Sequence, residues 1–179
     1  MKKTLVLILA LMMIITLSAG CTEKTNGKGD VSDIQPLEPA LVVGAGSYAY
    51  EVFGLTTIFE VPEGWSAVVN SGGWRLDIHA VPPQDDEDFV YTGNPKITII
   101  YKEDDEGFIP PEHQEKIDDK VIGGIEMEGN WGIVAQDSFL FYRGVSSNGI
   151  FLEVLAMFGL DVESGEGKAV MDSIQFTVG

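Results

Sequence analysis

The stretch IFLEVLAMF, Ile150–Phe158, says more about the fold than any other part of the sequence. Its alternate residues are apolar on both sides, and Glu153 is its only polar side chain. A strand that is apolar on both faces lies inside a sheet that is covered on both sides. The turn-forming pair Asn148-Gly149 and the short length favour a strand, with a buried helix as the alternative for so short an apolar run. We therefore expect an inner strand here.

Alternation with a period of two predicts further strands. In 74–80 the apolar residues fall on one face and the polar residues on the other, so we expect Trp74 in the core and Asp77 and His79 in solvent. Turn residues rich in glycine, proline and asparagine bound the other candidates. These further strands are expected at 57–61, 96–102, 122–128 and 138–143.

Two stretches have features of helices. Pro110-Pro111 suits a first helical turn, and His113, Ile117 and Val121 follow at intervals of four residues. Ser164 is a candidate N-cap for a second helix over 164–174. Helices packed on the faces of an antiparallel sheet make an α+β domain, which is the fold class that we expect.

Three short motifs resemble PsbP-like and DcrB-like domains. Phe59–Trp65, which reads FEVPEGW, is similar to their opening strand and turn, and Val170–Phe176 is similar to their closing helix. Asn148–Phe151 resembles the late hairpin that leads into that helix. The resemblance covers about 48–179 and implies an antiparallel sheet between helices, a PsbP-like α/β/α sandwich. It also implies a secreted or lipid-anchored accessory protein without known catalysis, and it assigns no site residue.

Residues 1–20 have the pattern of a secretory signal peptide: two lysines, an apolar run and small residues before a break. Cys21 follows directly, as in a bacterial lipobox, although Leu17 stands four residues before it instead of three. The resemblance to a lipobox implies cleavage before Cys21 and transfer of diacylglycerol to its sulfur. A membrane-spanning helix is the alternative, but the apolar run is about 15 residues long and spanning takes ~20.

The remaining chain divides into a tether and a domain. Residues 21–39 are polar, contain glycine and proline, and predict a flexible tether behind the lipidated N-terminus; residues 40–179 predict a single domain. The formal net charge is −17, and removing Lys2 and Lys3 makes it more negative. Such a chain repels nucleic acid and anionic lipid, so we expect attachment to the membrane only through the lipid anchor.

The sequence offers few candidates for catalysis. His79 and Asp77, expected side by side on a solvated strand face, could serve a hydrolase of the cell envelope, but solvated strands carry such pairs without function. A G-x-G-x-x-A match at 44–49 lacks a following helix, because aromatic and β-branched residues come next. No zinc motif is present in the sequence, and we expect no cofactor.

Two acidic runs could bind cations weakly. Their candidate ligands do not fit the spacing of an EF-hand, and solvated loop tips explain the runs as well. A weak extracellular Ca²⁺ site remains the alternative. The residues concerned are Asp85, Asp86, Asp88, Asp104 and Asp105.

Trp131 is the best candidate for a ligand contact, because the glycines around it predict a loop with an exposed aromatic side chain. Together these features predict a non-catalytic binding or accessory protein, anchored by lipid to the outer face of the bacterial cytoplasmic membrane. Its partner would be a protein or a small ligand of the envelope. The alternatives are the hydrolase and a cation-dependent adhesion or scaffold module.

Replacing Cys21 with Ala should abolish lipidation, because the acyl group needs the cysteine sulfur. We expect the parent protein to incorporate labelled fatty acid and to fractionate with membranes, and C21A to incorporate none. Ser18→Ala, which keeps the cysteine, is the matched control and should retain the label. A parent protein that takes up no fatty acid would refute the anchor.

Overall fold

Strands hold 55% of the described residues, and only 8% are helical. A computed structural model describes residues 33–84, 93–105, 113–134 and 137–179. They belong to one compact unit, Val31–Gly179. The expected α+β sandwich, in which helices cover the sheet faces, is therefore wrong. The described part consists of two β-sheets and one helix.

In chain order the strands are β1 (Gln35–Pro36), β2 (Val42–Val43), β3 (Gly46–Val52), β4 (Leu55–Val61), β5 (Ser66–Val69), β6 (Arg75–His79), β7 (Lys96–Lys102), β8 (His113–Lys116), β9 (Lys120–Ile122), β10 (Ile125–Val134), β11 (Asp137–Val145), β12 (Phe151–Met157) and β13 (Gln175–Val178). Helix α1 (Gly165–Ser173) lies between β12 and β13. The folded part begins before residue 40, because β1 is already part of a sheet and Leu37 is buried.

The strands form a small sheet and a large sheet. The small sheet has the order β1-β3-β4-β13, and only its β1–β3 pair is parallel. The large sheet has the order β2-β5-β6-β7-β12-β11-β10-β8, and β9 also pairs with β10. β12 lies between β7 and β11, and Val154 has no exposed surface. The inner strand expected at 150–158 is thus confirmed.

The main core brings side chains of both sheets together. One face of the large sheet contributes Leu76, Ile99 and Val154, and the small sheet contributes Leu55 and Phe59. A buried hydrogen bond also links the two sheets: the hydroxyl oxygens of Thr57 in β4 and Tyr101 in β7 are 2.8 Å apart. Tyr101 is buried, and this burial raises the pKa of its phenol, so the proton stays in place for that bond.

The predicted helix over 164–174 is confirmed as α1. Val170 and Met171 are buried on it, and the Ser173 hydroxyl accepts a bond from the Glu60 backbone N–H at 3.0 Å. Gly167 is needed here, since a Cβ at this position would lie 2.1 Å from the Asp161 carbonyl oxygen. Trp65 is buried as well, and its indole N–H donates to Glu166 Oε2 at 3.1 Å.

The other predicted helix, over 110–121, is wrong where the structure describes it. Residues 113–116 form β8 and residues 120–122 form β9, while 110–112 lie outside the described residues. The error has a physical cause. A spacing of four residues also places side chains on one face of a strand, so Ile117 and Val121 do not distinguish the two structures.

A charge placed on β12 should prevent folding. Val154→Asp would leave a carboxylate without a partner in the main core, and we expect complete loss of the cooperative unfolding transition. Val121→Asp puts the same group on a residue that is 65% exposed and should change stability by less than about 0.5 kcal/mol. Urea denaturation followed by near-UV circular dichroism measures both. A folded V154D protein would refute the position of β12.

Candidate functional site

The polar face of β6 is buried and not solvated. Asp77 and His79 have no exposed surface, whereas Trp74, expected in the core, is 42% exposed. The alternation in 74–80 distinguished the apolar and polar faces correctly, but the polar face, expected in water, is buried as well. Leu76 and Ile78 face the main core, so the polar residues lie on the second face of the large sheet.

Asp77 is the centre of a buried ionic cluster. Arg75 holds its carboxylate through two contacts, Nε to Oδ2 at 2.7 Å and Nη2 to Oδ1 at 2.9 Å. The Thr98 hydroxyl donates to Oδ1, and Lys96 Nζ lies 3.7 Å from the same oxygen. Burial lowers the pKa of Lys96, and the charge of Arg75 acts in the same direction, whereas Asp77 opposes both. The ion pairs and hydrogen bonds of this cluster offset the free-energy cost of burying charged groups on the sheet face.

His79 lies next to this cluster, directly across from Lys96 on β7 and Ser66 on β5. Burial lowers the pKa of His79 to about 4, so the imidazole is neutral at neutral pH. Ser66, His79 and Asp77 are the residue types of a catalytic triad. However, the Ser66 hydroxyl donates to the Val81 carbonyl at 2.8 Å, and all three side chains are fully buried. A substrate could reach them only if the sheet face opened.

A second ionic cluster lies on the same face. Glu153 is 5% exposed and contacts Arg143 Nε at 3.1 Å and Lys102 Nζ at 3.9 Å. Burial raises the pKa of the Glu153 carboxyl, and its two cationic neighbours limit the rise. An apolar cluster that includes Phe141 and Leu155 belongs to this face too. Glu153, the single polar residue of Ile150–Phe158, therefore forms ion pairs inside the protein.

The accessible candidate site is a groove at one end of the two sheets, which we call the end groove. It has a volume of about 460 Å³. Its lining combines apolar side chains with glycines and the serines Ser146 and Ser147, and Glu126 is its charged residue. The residues that matter for its chemistry are Leu55, Ile125, Glu126, Val145, Phe176 and Val178.

Turns from both sheets meet at this end of the molecule. The Asn148 amide donates to the Phe53 carbonyl at 3.2 Å, which connects the β11–β12 turn to the β3–β4 turn. Phe53, Val145 and Val178 are 42%, 50% and 45% exposed. They are three of the six large apolar side chains exposed in the described residues, so apolar surface is concentrated at this end.

The β9–β10 turn forms one wall of the end groove. Gly123 and Gly124 have φ angles of 58° and 87°, which suit a two-residue hairpin turn. The Gly123 carbonyl accepts the Phe176 N–H at 3.1 Å, and a Cβ on Gly123 would lie 2.4 Å from the Phe176 ring. Glycine at this position therefore lets the turn pack directly against β13.

An acidic hollow of about 480 Å³ adjoins the end groove and shares Glu126 with it. Asp119 and Glu128 line the hollow together with one cation, Lys120. Lys120 Nζ lies 3.0 Å from Glu163 Oε1, which neutralises much of its charge. The surface beside the end groove is therefore negatively charged.

The residues singled out from the sequence are not brought together. Trp131 was expected in a loop but lies within β10 and is half-buried. Asp104 and Asp105 are exposed beyond the end of β7. The described residues include no group of three or more His, Cys, Asp or Glu side chains that could hold a metal ion. Cys21, Asp85, Asp86 and Asp88 lie outside the described residues.

Comparison with known proteins found no matching family model, no similar curated protein and no similar solved structure. Within the described ranges, no helix has the length and hydrophobicity needed to cross a bilayer. Sequence reasoning missed the end groove because its walls come from four distant segments. A usable signal was present in β13, whose sequence QFTV is unusual for an exposed edge because it carries neither charge nor proline.

Acid should destabilise the protein through His79. The pKa of His79 is lower in the folded state, about 4, than the value near 6.5 expected when unfolded. Between about pH 6.5 and pH 4, His79 is therefore protonated in the unfolded state but stays neutral in the folded state. We expect this to remove about 2–3 kcal/mol of the free energy of unfolding.

His79→Gln should remove that part of the pH dependence. Glu153 contributes with the opposite sign, because its pKa is raised, but equally in both proteins. The difference between the parent and H79Q, measured by urea denaturation at about pH 7 and pH 4.5, therefore isolates the histidine. Parallel pH profiles of the two proteins would contradict a neutral, buried His79.

Proposed function

We propose that this protein acts by binding a partner at the end groove and performs no covalent chemistry of its own. It does so as a lipid-anchored accessory protein on the outer face of the bacterial cytoplasmic membrane. The anchor rests on the lipobox-like sequence before Cys21. The binding site rests on the geometry of the groove.

The observation that carries the proposal is an exposed strand edge beside a groove that presents the apolar side chains of Val145 and Val178. β13 is the last strand of the small sheet, and Gln175, Thr177 and Val178 on it are exposed. Proteins usually protect such edges, because unpaired backbone groups recruit other chains. An unprotected edge next to exposed Val145 is therefore typical of an interaction surface.

The burial of the histidine–aspartate pair favours binding over hydrolysis. A general base must lie within hydrogen-bond reach of the substrate proton, and its pKa should lie near the working pH. His79 has no exposed surface and a pKa of about 4. Asp77 is held by Arg75 and Thr98 inside the same cluster. These groups serve the stability of the sheet.

A photo-crosslinking amino acid at Val145 should capture the partner in the cells that make the protein. Val145 lines the end groove and is 50% exposed. We expect one adduct of defined mass, and we expect the same probe at Ser138 to give none. Ser138 is also exposed but lies at the opposite end of β11. Mass spectrometry of the adduct identifies the partner.

Two results would contradict this function. Equal labelling from Val145 and Ser138 would show that the groove has no special role. Turnover of an ester, peptide, phosphate or glycoside substrate by the purified protein, lost in H79Q with the fold intact, would favour the hydrolase instead.

A further inference from the structure

We infer that the end groove takes an extended polypeptide segment with basic side chains, which joins the small sheet as an additional strand beside β13. This inference rests on the proposed binding function and names the chemistry of the partner. It follows from the unprotected edge, the direction of the backbone groups and the charge around the groove.

β13 differs from every other edge in the described sheets. The opposite edge of the small sheet, β1, has two residues, and one of them is Pro36. On the large sheet, β2 also has two residues, and β8 contains Glu115 and Lys116. The short strand β9, which pairs only with β10, has three residues and begins with Lys120. Shortness, proline and charge all discourage pairing with another chain. β13 has four residues with neither charge nor proline. The β9–β10 turn covers its outer edge only at Gln175 and Phe176, where Gly123 pairs with it, so the part around Val178 is the edge best suited to accept a strand.

The backbone groups that a new strand needs point into the groove. The Phe176 N–H donates to Gly123 across the groove wall, which shows that Phe176 directs its backbone away from β4. Backbone direction alternates along an antiparallel strand. The Phe176 C=O and the N–H and C=O of Val178 therefore also point away from β4. An extended chain with matching donors and acceptors would pair with them.

The side chains around this edge select an apolar and basic segment. An added strand would alternate its side chains, so one set would contact Ile125 and Val145 in the groove. Glu126 lies in the groove, and Glu128 continues the negative surface into the acidic hollow, where Asp119 is paired with Lys116 at 2.7 Å. Lysine or arginine side chains of the segment would lie close to these carboxylates, which favours them over acidic ones.

The same charge argues against other occupants. A second copy of the chain would bring another formal charge of −17 to the edge, and β13 would face an equally acidic rim. Nucleic acid and anionic lipid are repelled for the same reason. An uncharged ligand would make no use of Glu126. A basic polypeptide would pair with the backbone of β13, contact the apolar side chains of the groove and place its cations beside the carboxylates.

The test uses the full-length lipidated protein in a non-ionic detergent and a short fluorescent peptide of alternating valine and lysine. We expect saturable binding by fluorescence anisotropy, weakened at least severalfold when salt rises from about 0.05 to 0.5 M. The same peptide with glutamate for lysine should not bind. A version N-methylated at every residue, which leaves no peptide N–H to pair with a strand edge, should not bind either. Hydrogen exchange at the Val178 amide should slow on addition of the lysine peptide.

Protein variants separate backbone pairing from charge. Val178→Pro removes the N–H directed into the groove and should weaken binding about tenfold, while V178T, which keeps it, should stay within about twofold. Glu126→Lys should weaken binding severalfold, while E63K, an exposed site at the other end of β4, should not. Thermal unfolding of each variant confirms that the fold is intact.

The inference is overturned if the N-methylated peptide binds as well as its parent, or if V178P and E126K bind normally. It is equally overturned by self-association that V178P abolishes, which would identify a second copy, or by binding to lipid vesicles in place of the peptide. Crosslinking from Val145 in cells without peptide binding would leave the proposed function standing and reject only this partner. If neither crosslinking from Val145 nor peptide binding is observed, both the proposed function and this partner are rejected.

Discussion

The centre of the large sheet is shielded from water on both faces, and the rest of the structure follows from this constraint. On one face Leu76, Ile99 and Val154 meet the small sheet in the main core. On the other face Asp77 and Glu153 are buried, and a buried charge is tolerable only when it is paired. Arg75, Lys96 and Thr98 satisfy the first carboxylate, and Arg143 and Lys102 satisfy the second. These contacts fix which strands lie next to each other, because an isolated ion here would be costly.

The sequence predicted the parts of this fold that local pattern controls. β12 was predicted because a short apolar run with a single acid, preceded by Asn148-Gly149, favours a covered strand over a buried helix, and α1 was predicted from Ser164 and the spacing of its apolar residues. The face of β6 was predicted wrongly for a physical reason. Alternation distinguishes two environments, but a polar row is compatible with water or with buried partners. Here the partners of Asp77 are Arg75 on β6 itself and Lys96 and Thr98 on β7. That the described residues form one helix and not a helical layer over the sheets was also beyond local pattern, since covering a face is a matter of tertiary packing.

The end groove could not have been derived from sequence spacing. Leu55, Ile125, Val145 and Val178 come from four segments, and only the pairing of β4 with β13 and the turn at Gly123 bring them together. What the sequence did contain was the lack of protective residues in β13. That signal acquires meaning only once topology shows that β13 is an edge, because the same four residues inside a sheet would be unremarkable.

The strong negative charge of the protein compensates for the lack of charged residues and proline in the edge strand β13. An open, uncharged edge strand normally invites identical chains to pair through it. In this protein every copy carries a formal charge of −17, and Glu126 stands in the groove beside the edge, so two copies repel each other where pairing would begin. The protection that other proteins build into the edge strand is here supplied by its surroundings. That arrangement keeps the Phe176 carbonyl and the backbone groups of Val178 available, and it admits a chain of the opposite charge in preference to another copy of the protein.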